Sequence, residues 1–207
     1  MLSYTDIDSR KKAFIFELDN VLYPERDYLL QVYYLFASFV EYLEAAPPAA
    51  DLVAFMKKVY EHHGSAQIFD KAKEAFGIDE KYRDNFLRLH LNARLPLKLL
   101  LFNNILQLLQ DIVVDRKQIF IVTNGNPEQQ LNKIRQIEWN GLEKYLKVYF
   151  AAELAPKPET DALEFILQQH QLTRNDLAII GATPVDREFA SSSGVDFIDV
   201  REFFNKP

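Results

Sequence analysis

Glu17 and Asp19 stand two residues apart at the end of an apolar run, Phe14-Ile15-Phe16-Glu17-Leu18-Asp19-Asn20-Val21-Leu22-Tyr23-Pro24. In an extended strand, residues i and i+2 project to the same side. The two carboxylates can therefore converge just past the carboxyl edge of a strand, where open α/β sheets bind ligands. Like charges held together repel unless a cation or a proton relieves them. The spacing thus points first to a site for a metal ion and a phosphate. Asn20 and Pro24 bring turn chemistry directly after it.

The composition limits what such a site can serve. At 207 residues the chain suits one domain with an insert, or two small domains. A hydrophobic content of 48%, with 13% aromatic, supports a sizeable core. No apolar run is long enough to span a membrane, and residues 1–12 lack the apolar region of a signal peptide. The absence of cysteine excludes disulfides and thiolate metal sites and fits a cytoplasmic protein. The net charge is −6, and no basic stripe interleaves with aromatics, which argues against a nucleic-acid partner. An acidic protein that handles phosphate must create positive charge locally, so single lysines and helix N-termini carry weight.

The elements around the carboxylates follow from hydrophobic spacing. Residues 13–19 read as a buried strand. Residues 26–95 read as almost entirely helical, with Leu29, Leu30, Val32, Tyr33, Leu35, Phe36, Phe39, Val40 and Leu43 on one broad apolar face and Pro47-Pro48 breaking the first helix. Further helices are expected at 52–62, 68–76 and 80–92. From Leu97 the pattern alternates: helix 97–109, strand 118–122, helix 127–137, strand 148–151, helix 159–170, strand 177–180, helix 184–193 and strand 195–200. Such alternation implies an α/β fold, a parallel sheet with helices on both faces. The helical block interrupts it after the first strand.

The run ending in Glu17-Leu18-Asp19 resembles motif I of the haloacid dehalogenase superfamily, an apolar strand followed by Asp-x-Asp. The resemblance extends over the chain from about residue 12. It implies a Rossmann-like parallel sheet core at 1–22 and 96–207, with an all-α cap at 23–95 inserted after motif I. It also implies a Mg²⁺-dependent phosphatase acting on a small phosphorylated molecule. In that family the residue at position 17 attacks phosphorus and binds Mg²⁺. Asp19 is then the general acid/base, with its backbone carbonyl on the metal. Thr123-Asn124-Gly125 resembles motif II, in which the Thr123 hydroxyl and the Asn124 N–H hold phosphate oxygens. Asn126 and Pro127 supply an N-cap and first residue for the next helix, whose N-terminus adds positive potential. Lys157, in Ala155-Pro156-Lys157-Pro158, resembles motif III and would neutralise the carboxylates and the phosphoryl group. Motif IV falls at Gly181-Ala182-Thr183-Pro184-Val185-Asp186.

Two positions depart from the family pattern. Glu17 replaces the nucleophilic Asp and reaches roughly 1.5 Å further, and a misplacement of about 1 Å can cost ~100-fold in rate. Ala182 stands where the family carries a metal-binding Asp. Asp186 then has two readings. It is a residual Mg²⁺ ligand beside Glu17 and Asp19, or it closes a capping box with Thr183 ahead of Pro184. The expected function is a weak phosphomonoesterase for a nucleotide or sugar phosphate, with Mg²⁺ bound weakly or lost. The alternative is a catalytically inactive relative that binds a phosphorylated ligand or a protein. The adjacent His62 and His63 lack the i, i+4 spacing of a helical metal site and read as exposed, while His90 and His170 have no evident partners.

Overall fold

The computed structural model describes residues 2–204. In chain order the elements are β1 (Ala13–Phe16), α1 (Glu25–Glu44), α2 (Ala49–His63), α3 (Ile68–Phe76), α4 (Arg83–Asn92), β2 (Leu99–Leu100), α5 (Asn103–Val114), β3 (Gln118–Thr123), α6 (Pro127–Gln136), β4 (Ile137–Glu138), β5 (Leu146–Phe150), α7 (Asp161–His170), β6 (Leu177–Gly181), α8 (Pro184–Ser193) and β7 (Asp196–Asp199). Two compact units result. One comprises residues through Pro24, Leu99–Gln130 and residues from Ile137 on; the other comprises Glu25–Lys98 with Leu131–Gln136.

The first unit is Rossmann-like. Five parallel strands lie in the order β5-β3-β1-β6-β7, and β2 and β4 form a separate parallel pair. Central parallel strands are covered on both faces and so read as continuous apolar runs, which is why all four residues of β1 are buried. On one face Ala13, Ile15, Phe120, Val122, Leu177 and Ile179 pack with Ala162, Leu163 and Ile166 of α7 and Phe189 and Ala190 of α8. Helix α5 buries Ile105, Leu108, Leu109 and Ile112, the i, i+3, i+4, i+7 stripe of an amphipathic helix. The register pairs Phe16 with Ile121 and with Ile180. Glu17, Thr123 and Gly181 therefore finish together at the carboxyl edge.

Several expected boundaries move, and two of the moves have a clear physical cause. Strand β1 ends at Phe16 rather than at residue 19, because the chain turns immediately. Asn20 takes a left-handed φ of 60°, Leu22 N–H donates to the Leu18 carbonyl at 3.0 Å, and Asn20 N–H donates to that of Tyr23 at 3.0 Å. Asn tolerates that backbone region better than most residues. The helix expected from Leu97 begins only at Asn103. Leu99 is fully buried, Leu100 is 60% exposed and Leu101 is buried again, which is the period of two of a strand. An unbroken leucine run hid that alternation.

The second unit is all-helical. Tyr28, Leu29, Val32, Tyr33, Phe36, Ala37 and Val40 of α1 are buried, as are Leu52 and Met56 of α2, Ile68 and Phe69 of α3, and Phe86 of α4. Aromatic rings dominate its centre: Phe36 meets Phe86 edge-on at 5.0 Å between centroids, and Phe86 meets the His90 ring edge-on at 4.7 Å. His62 and His63 are exposed, whereas His90 stands among Tyr28, Tyr33 and Phe86. No helix of the described residues is long and apolar enough to cross a membrane.

Burial, with a smaller contribution from Lys133, pulls the His90 imidazole down to about 4. A histidine freed by unfolding titrates near its ordinary value, so between these values the unfolded chain binds the extra proton. Stability is therefore expected to fall as the pH drops from about 6.5 towards 4, by as much as 2–3 kcal/mol. Melting curves of wild type and His90→Phe across that range check this: the variant's midpoint should vary less with pH.

Candidate active site

The carboxyl edge of the sheet gathers Glu17, Asp19, Thr123, Asn124, Lys157 and Asp186. At its centre is the ammonium of Lys157, which is only 6% exposed. It donates to Glu17 Oε2 and to Asp186 Oδ1, the latter at 2.5 Å. A buried charge is tolerated only when paired and hydrogen-bonded, and here one cation serves two carboxylates. Burial opposes the charge on Lys157, yet Glu17 and Asp186 outweigh that and hold its pKa above the ordinary lysine value. Burial pushes the Glu17 carboxyl up, further than Lys157 and the Thr123 hydroxyl pull it down. Asp186 goes the other way: burial raises it, but Lys157 and the Thr183 donors hold it below the usual carboxylate value. Of the two carboxylates, Glu17 is the one that takes up a proton first.

Local structure explains how each group arrives. Asn124 carries a reciprocal clamp, its Nδ2 donating to the Lys157 carbonyl at 3.0 Å and its Oδ1 accepting from the Lys157 N–H at 2.9 Å. Its side chain is thereby engaged in positioning Lys157. Asn126 Oδ1 accepts from the Glu128 N–H at 2.8 Å, capping α6 next to Pro127. Asp186 serves as the cap partner of α8. Its Oδ2 accepts from Thr183 Oγ1 at 2.8 Å, Thr183 N–H at 3.0 Å and Ala182 N–H at 3.1 Å. The capping box, one of its two readings from sequence, is formed.

Asp19 is held by neutral donors. The hydroxyl of fully buried Tyr23 donates to Oδ1 at 2.6 Å, and Gln130 Nε2 donates to Oδ2 at 2.9 Å. The same Gln130 amide donates to Thr123 Oγ1 at 2.7 Å. Gln130 is 3% exposed and ties the carboxylate of β1's turn to the hydroxyl that ends β3. Sequence reasoning missed it, since a lone Gln in a helix carries no signature. Its only signal was a polar residue on the inward face of α6. His170, expected to lack partners, lies within hydrogen-bond distance of Tyr149 Oη at 2.7 Å and Lys147 Nζ at 3.2 Å, away from these residues.

The resemblance implies Mg²⁺ at this edge, and the donor set does not fit it. Mg²⁺ demands near-octahedral oxygen coordination, with carboxylates offering free lone pairs. Both oxygens of Asp186 are engaged, one by Lys157 and one by three donors of its own capping loop. Glu17 Oε1 accepts from the Leu18 N–H at 2.7 Å, and Oε2 faces the ammonium. Residue 182 contributes a methyl group. Among the described residues no three His, Cys, Asp or Glu side chains gather into a group able to hold a metal ion. The Thr123 hydroxyl and Lys157 stand at the same edge, beside Asn124.

Residues 14–200 match the profile of the haloacid dehalogenase-like hydrolases, and the chain belongs to that family. Its fold recurs in solved structures at low identity. A Thermotoga maritima protein assigned as a β-phosphoglucomutase is 18% identical, with a TM-score of 0.63 over 94% of this chain and 97% of that one. The magnesium-bound Bacillus subtilis protein YfnB, assigned as a HAD-hydrolase, is 17% identical, with a TM-score of 0.59 over 91% and 86% of the two chains. A defluorinating L-2-haloacid dehalogenase, Rha0230, is 15% identical, with a TM-score of 0.59 over 90% and 80%. No curated protein matches the chain.

Gly181 permits the close approach on which the cluster depends. A Cβ at that position would lie 2.4 Å from Asp186 Cβ and 2.9 Å from its Cγ. Gly181→Ala must displace Asp186 and is expected to destabilise the protein by about 1–3 kcal/mol. The shift of the urea midpoint measures it; an unchanged midpoint would show that the loop yields without cost.

Proposed function

We propose that this edge binds the phosphoryl group of a small phosphorylated molecule, such as a nucleotide or sugar phosphate, and that the chain is a binding member of its family rather than an efficient phosphatase. The observation that carries the reading is the engagement of Glu17. Its extra methylene lets the carboxylate fold back onto the Leu18 N–H while its other oxygen meets Lys157. A nucleophile needs an oxygen free and in line with phosphorus, at near-attack distance. Thr123, the Asn124 N–H and Lys157 would hold the anion, and the N-terminus of α6 adds positive potential. Its low affinity for nucleic acid and membranes remains the expectation from charge and hydropathy.

A second reading, weak phosphomonoester hydrolysis, rests on Asp19, whose carboxylate is oriented by Tyr23 and Gln130 as an acid/base residue would need. Turnover separates the two. Wild type and the Glu17→Asp/Ala182→Asp double variant are assayed on an aryl phosphate and a phosphometabolite panel, with Mg²⁺ or with chelator. The double variant is expected to gain Mg²⁺-dependent kcat/KM of about 100-fold or more over wild type, and more than either single change, because both positions would serve one metal. Wild-type turnover equal to that of the double variant, abolished by Asp19→Asn, would make Glu17 a working nucleophile and overturn the binding assignment. Inorganic phosphate should raise the melting temperature of wild type and raise it less in Thr123→Ala.

A further inference from the structure

We infer that Lys157 is a tethered replacement for a divalent cation: its ammonium is the resident counter-ion of Glu17 and Asp186, and it shuts the site to Mg²⁺. One nitrogen reaches Glu17 Oε2 and Asp186 Oδ1, the latter at 2.5 Å, so those two oxygens lie close enough together for a single small cation to bridge them. Lys157 is 6% exposed and Asp186 1%, so neither partner is free to swing into solvent and vacate the position. The lysine is also fixed from behind by the two-way hydrogen bond between its backbone and Asn124. A third carboxylate, which would let the site hold a metal and the ammonium together, is missing, because Ala182 offers only its N–H, donated to Asp186 Oδ2. Cation and ammonium therefore compete for the same oxygens, and the covalently attached one prevails at any ordinary concentration of the other.

Two consequences are separable from the ligand assigned above, since metal ions alone serve as the probe. Wild type should not respond to divalent cations, and removing the ammonium without removing its volume should create a cation site. The experiment is thermal melting of the full chain, wild type and Lys157→Gln, in millimolar MgCl₂ or CaCl₂ against NaCl of equal ionic strength, with Asp186→Asn as the baseline. Wild type is expected to match the baseline, and Lys157→Gln to gain about 3 °C or more in a dose-dependent manner. If Lys157→Gln does not fold in cation-free buffer, its refolding in Mg²⁺ or Ca²⁺ is measured, and recovery only with cation supports the inference. A wild-type rise above the Asp186→Asn baseline overturns it. So does a folded Lys157→Gln that ignores both cations, or one that no cation rescues. Phosphate binding can fail while these results hold, and the reverse, so the two assignments stand or fall separately.

Discussion

The ammonium of Lys157, buried between Glu17 and Asp186, is the interaction on which the arrangement of the sheet's carboxyl edge depends. Breaking one partner out of such a pair typically costs about 3–5 kcal/mol, because it strands a charge away from water. The surrounding structure is consistent with that stake. Asn124 clamps the lysine backbone from the end of β3, the α8 capping loop gives Asp186 three further donors, and Gly181 leaves room for its side chain. Three segments far apart in sequence meet at one nitrogen.

Around this cluster two hydrogen-bond systems meet, joined through the Thr123 hydroxyl, which serves Glu17 as well as Gln130. Lys157, Glu17 and Asp186 form a charged one. Asp19, Tyr23, Gln130 and Thr123 form another, in which neutral donors serve one carboxylate and one hydroxyl. Membership of the haloacid dehalogenase-like hydrolases establishes the family. Activity resides in the site and not in the fold, and here both Glu17 oxygens are engaged, one by the Leu18 N–H and one by Lys157, while residue 182 contributes a methyl group.

Much of the fold was legible because it rests on periodicity. The five sheet strands, the helical block after the first of them and the Asn126-Pro127 and Thr183-Pro184 helix starts all follow from local spacing and capping chemistry. The misplaced start of α5 shows the limit: when every residue from Leu99 to Leu101 is leucine, hydrophobicity cannot separate a period of two from one of 3.6. His90 shows another, since its burial is set by Tyr28, Tyr33 and Phe86, which approach it from other turns and other helices.

For the site itself, the residue types and their order were readable from the chain alone: Glu17 and Asp19 at a strand end, Thr123 at the next, then Lys157 and Asp186. Strand direction and alternation dictate that these reach one edge of a parallel sheet. Which oxygen each donor takes was decided only by tertiary structure. The partnering of Lys157 with both carboxylates, the double role of Gln130 and the sharing of Asp186 between its own capping loop and Lys157 depend on distances between segments up to 140 residues apart. Hydrogen bonds form or fail within a few tenths of an ångström, and a sequence pattern carries no information at that scale.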